Sequence, residues 1–69
     1  MEDWKVRLVE EYKQLSERTE KLGAAINKEG FYNKVGEVQH FYMVSQYIGM
    51  RIYKDALENR LDDLGIKVE

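Results

Sequence analysis

The chain has no cysteine and no proline, and only one histidine among its 69 residues. Without cysteine there are no disulfides, no thiolate metal sites and no thiol nucleophile. One histidine, His40, does not anchor a zinc ion without several carboxylates converging on it, so no metal or other cofactor is expected. Without proline nothing breaks a helix by ring geometry, and 35% charged residues then point to long helices. No apolar run approaches the roughly 20 residues that cross a bilayer. The opening Met1-Glu2-Asp3-Trp4-Lys5 carries neither the basic nor the apolar region of a secretory signal, so the expected location is the cytoplasm. Charge of one sign is lacking too. Eleven basic against thirteen acidic residues leave −2, without the positive field that nucleic-acid binding uses.

What is present is helical periodicity. Leu8, Tyr12, Leu15, Thr19, Leu22 and Ile26 step by 4, 3, 4, 3 and 4 residues, the seam of a packed helix. Pairs such as Glu10 with Lys13 and Glu17 with Lys21 support its outer faces. This first helix is expected from about Asp3 to Asn27, with Asp3 as N-cap. An elbow follows over about 28–36, where Gly30 and Asn27 suit a helix end and Phe31 is expected to cap the core. A second helix is expected over about 37–64. Gly65 stops it, and Ile66 is placed to make the apolar contact that accompanies a glycine cap.

The second helix is too apolar to be covered by one partner. At 100° per residue, Val38, Phe41, Ser45, Ile48, Gly49, Ile52 and Ala56 gather on one side, and this stripe is expected to pack on the first helix. A second stripe, Met43, Met50, Leu57, Leu61 and Leu64, lies about 110° away. Contiguous apolar surface on a small protein marks an interface, and methionine suits one. A domain this small also needs help to be stable. The expected architecture is therefore all-α: a single-domain, two-helix antiparallel hairpin that assembles with copies of itself into an oligomeric bundle. Its subunit boundary falls on Met43, Met50, Leu57, Leu61 and Leu64. The alternative cover for that stripe is a folded-back tail using Ile66 and Val68.

Catalysis is not expected. The hydroxyls of Ser16, Thr19 and Ser45 lack a histidine neighbour; Ser45 and His40 point about 140° apart on the wheel. Gly30 and Gly36 are isolated, so there is no phosphate loop. The pairs Glu10-Glu11 and Asp62-Asp63 lack a second ligand type and read as solvated faces. One constellation suggests binding. His40, Tyr47, Arg51 and Lys54 fall within about 60° on the second helix, opposite the stripe assigned to the core. Arg51 suits a phosphate or carboxylate, Lys54 adds a point charge, and Tyr47 stacks or donates. The competing reading is an ordinary charged surface, with Arg51 paired to Asp55 and Lys54 to Glu58. Lys28, Tyr32 and Lys34 in the elbow are a weaker second candidate.

The run from Arg7-Leu8-Val9-Glu10-Glu11-Tyr12 through Ser16-Glu17-Arg18-Thr19-Glu20-Lys21-Leu22 resembles the start of a family of short phage and prophage proteins, typified by members in crAss-like phages. Tyr42, Gln46, Met50, Tyr53, Leu57, Arg60-Leu61 and Gly65-Ile66 extend the resemblance over most of the chain. The resemblance implies a phage-encoded helical hairpin with no catalytic residues to carry over. By analogy with other small helical phage proteins, it implies a counter-defence factor in the host bacterial cytoplasm. Two tasks follow as expectations. The chain sequesters a small anionic nucleotide signal in pockets between its own subunits, or it blocks a host defence or regulatory protein through an exposed helix face, with Met43, Met50 and Leu57 as anchors.

Overall fold

The computed structural model describes residues 2–68. It contains α1 (Asp3–Ile26), α2 (Phe31–Val35) and α3 (Glu37–Asp63), and no strand among the described residues. Both long helices end as their sequences dictate. Asn27 closes α1, and its side-chain amide donates to the Gly23 carbonyl at 2.9 Å. At the end of α3, Gly65 takes φ +71°, its N–H bonds the Asp62 carbonyl and the Ile66 N–H bonds Leu61. This is a Schellman cap, and Ile66 makes its apolar contact with the core. The start of α1 differs from expectation. Glu2, not Asp3, holds the cap position, and its carboxylate accepts from the Trp4 indole at 2.8 Å instead of capping the backbone.

α1 and α3 pack on each other, and α2 touches both. The buried core joins Leu8 and Leu15 of α1 to Leu57 and Leu61 of α3, with Leu61 fully buried. Further along, Tyr47 of α3 lies on Gly23 of α1. Residues early in α1 thus meet residues late in α3, and the reverse.

The face of α3 that turns to α1 is not the one expected. Val38, Phe41, Ile48 and Ile52 are 54 to 66% exposed, and nothing stands near Gly49. Leu57 and Leu61 are buried instead, with Met50 and Leu64 packed beside them. The seam reads His40, Met43, Tyr47, Met50, Lys54, Leu57, Leu61, Leu64, an unbroken alternation of three and four. His40, Tyr47 and Lys54 read as solvent-facing because they are polar. All three have apolar bodies that cover a neighbouring helix while the polar tip reaches the edge. A subunit boundary on Met43, Met50, Leu57, Leu61 and Leu64 is corrected accordingly: Leu57 and Leu61 are buried in the core of one chain, Met50 and Leu64 pack against it, and Met43 is half-buried on the same seam. The folded-back tail contributes as well, since Ile66 and Val68 both pack on that core.

Candidate functional site

Where α1 faces the middle of α3, it presents three small residues, Ser16, Thr19 and Gly23. Each does something particular. Gly23 is buried beneath the Tyr47 ring, and a Cβ there would stand 2.8 Å from the ring edge. No larger residue fits under the ring as it lies. Thr19 is buried, and its hydroxyl donates to the Leu15 carbonyl at 2.7 Å, which satisfies it within the helix. Ser16 does not do the same. Its Oγ is buried and has no hydrogen-bond partner. A buried hydroxyl left so costs about 1–3 kcal/mol in desolvation.

Ser16, Thr19 and Glu20 of α1 face Tyr47, Arg51, Lys54 and Asp55 of α3 across a cleft of about 300 Å³. The Arg51 guanidinium lies 5.8 Å from the centre of the Tyr47 ring, a cation–π arrangement that holds the arginine over the cleft. Lys54 is half-buried. Neither cation is spent on a carboxylate. Among the described residues the one ion pair within 4 Å is Glu17–Lys21, far out on the surface of α1, so Arg51–Asp55 and Lys54–Glu58 do not form. The cleft therefore holds two unpaired cations, an aromatic ring, an unsatisfied hydroxyl and two carboxylates. It suits a small molecule with an anionic group and some hydroxyl or amino donors.

His40 is not part of it. Fourteen residues before Lys54, it sits about 21 Å away along the helix. Its ring stacks obliquely on Tyr32 at 5.0 Å and on Phe31 at 6.5 Å, closing the elbow. Phe31 is half-buried there and lies outside the leucine core it was expected to cap. His40 and Tyr32 instead border an open hollow of about 520 Å³ with Val38, Phe41 and Tyr42. Lys28 and Lys34 share a separate depression with Glu29, so the elbow candidate divides too. Ser45 donates to the Phe41 carbonyl at 3.1 Å and has no catalytic partner in His40.

Of the four residues read from the helical wheel, three line one cleft with α1: Tyr47 and Lys54 are half-buried there, and Arg51 stays exposed at its edge. Ser16, Thr19, Glu20, Gly23 and Asp55 escaped that reading because a wheel describes one helix at a time. The small residues Ser16, Thr19 and Gly23, set between Leu15 and Ile26 on α1, were the available signal.

Among the described residues no group of three potential metal-ligating side chains forms, and no helix is long and apolar enough to cross a membrane. A family model described as Sequestin matches residues 2–63. Neither a curated protein nor a solved structure matches the chain.

Proposed function

The chain belongs to the Sequestin family, and from that premise we propose a non-catalytic phage counter-defence protein, a homo-oligomer of antiparallel helical hairpins that sequesters an anionic nucleotide immune signal. Its place of action is the host bacterial cytoplasm. The family's name supports sequestration, and the cleft supports the class of ligand.

One observation carries the proposal: a buried, unsatisfied Ser16 hydroxyl beside two cations that have no carboxylate partner. A folded chain tolerates unsatisfied polarity where something else is meant to complete it. Arg51 donates two parallel N–H bonds to a phosphate, and Lys54 adds a compact charge. A turn of the Ser16 side chain brings its hydroxyl, buried in the free chain, to the same anion. The Tyr47 ring, fixed between Gly23 and Arg51, offers an edge to a base. Glu20 and Asp55 at the rim accept from ribose hydroxyls or an amino group and oppose ligands that carry only charge.

Isothermal titration with cyclic dinucleotides and ADP-ribose-type nucleotides tests this. Binding by the wild type, and at least 100-fold weaker binding by Arg51→Glu at unchanged helicity, is the expected result. No heat with any of these nucleotides overturns the reading. A second reading, inhibition of a host protein through an exposed helix face, draws on the uncovered Phe41, Ile48 and Ile52. It places no demand on Arg51, so counter-defence activity surviving Arg51→Glu favours it.

A further inference from the structure

The outer face of α3 is the largest unexplained feature of the molecule. Val38, Phe41, Tyr42 and Ile52 are each nearly two-thirds exposed, and Ile48 and Tyr53 about half. In a chain with 35% charged residues, positions 38–50 carry no Asp, Glu, Lys or Arg. An apolar band of this length is not a solvated helix surface. We propose that a second copy of this chain docks on it, the two α3 helices antiparallel and crossing between Ser45 and Gly49. The proposal rests on the homo-oligomer part of the reading above and assigns its face.

Three observations favour a second copy over a foreign partner. The first is the symmetry of the face. Ser45 and Gly49 sit at its middle, and nothing lies within 4 Å of a Cβ built on Gly49. Large residues flank them, Phe41 and Tyr42 on one side and Ile52 and Tyr53 on the other. A two-fold axis near residue 47 sets Ser45 against the partner's Gly49 at the crossing, Phe41 against the partner's Tyr53 and Tyr42 against the partner's Ile52. The second is charge. A two-fold contact sets residues near its axis against their own copies, and positions 38–50 carry no charge to repel there, with Arg51 and Asp55 at the rim beside Ile48 and Ile52. The third is size. These six residues expose at most roughly 700 Å², so with the flanking residues of α3 the face reaches the scale of the ~800 Å² per partner that a stable interface buries.

The need for cover is also permanent. Four buried leucines make a small core, and a constitutive partner adds stability where an occasional one does not. The same register carries the partner's Ile52 and Tyr53 over the open hollow between Val38, Phe41 and Tyr42, which then gains its missing wall.

The test is molar mass in solution by light scattering, on the full chain and on Ile52→Glu. The wild type is expected at twice the 8.2 kDa chain mass, and the variant at the mass of one chain. Because loss of the partner also lowers stability, an independent readout is required. The chain has no cysteine, so Ile48→Cys near the axis is expected to give an oxidation-dependent covalent dimer, and Glu10→Cys on α1 is not. A monomeric wild type overturns the homo-oligomer and this face together. An oligomer whose mass survives Ile52→Glu, or that cross-links at Glu10→Cys but not Ile48→Cys, overturns the face alone.

Discussion

One end of the helix pair and its middle are built on opposite terms. At the end where Leu8 and Leu15 meet Leu57 and Leu61, the seam is apolar and closed, and the chain's tail adds Ile66 and Val68. Two or three turns away the same seam presents Ser16, Thr19 and Gly23 to Tyr47, Arg51 and Lys54, and a cleft opens. The heptad spacing continues unbroken through both. What changes is only which side chains occupy it. A repeat therefore fixes which faces meet, while the residues in it decide whether the meeting stabilises or leaves room for a ligand.

The largest effect separating the two regions is expected at Leu61. Leu61→Ala removes a fully buried side chain and costs about 3 kcal/mol, or at least ~12 °C in Tm for a chain this size, read by denaturant and thermal unfolding. A loss under about 1 kcal/mol would mean that the leucine end does not carry the fold.

Gly23→Ala sharpens the contrast. The new methyl pushes the Tyr47 ring aside, while alanine gains up to ~1 kcal/mol of helix propensity over glycine. Stability is expected to change little, and nucleotide affinity to fall at least tenfold by titration. Unchanged affinity would remove Tyr47 from the site.

The smallest effect is expected outside both regions. The Lys21 ammonium, by its hydrogen bond first and its charge second, holds the Glu17 carboxyl below its ordinary value, and Glu17 in turn raises Lys21. The stability from Glu17 is present above the ordinary carboxylate pKa and is lost as pH falls through the lowered one. That from Lys21 is present below the ordinary lysine value and is lost as pH rises through the raised one. Both side chains are solvated, so Glu17→Gln is expected to leave the melting temperature at neutral pH unchanged within error. A clear drop would place part of the stability on the surface.

Much of the fold was legible because helices announce themselves. The α1 stripe from Leu8 to Ile26, the break before Gly30 and the Gly65–Ile66 cap all follow from spacing and backbone chemistry. The facing of α3 was not legible by counting apolar residues, because it has them on two sides. The stripe with more β-branched and aromatic residues was assigned to the core, and the leucine stripe occupies it. Polar Tyr47 and Lys54 disguised the true repeat. Their removal from the solvent face is also what formed the cleft, so one misreading hid both the core face and half the site. His40 was assigned to the site by angle alone, although 21 Å of helix separates it from Lys54.

The central claim is that the middle of the seam gives up stability to hold a ligand, and Ser16→Ala tests it most directly. The measurement is thermal unfolding of wild type and variant, each with and without the nucleotide that binds best. Free Ser16→Ala is expected to melt higher, by about 1 kcal/mol in stability, because an unsatisfied buried hydroxyl is gone and alanine is the better helix former. The nucleotide is expected to raise the wild type by more than the variant. A free variant that melts lower, or a nucleotide that raises both proteins equally, would contradict the claim.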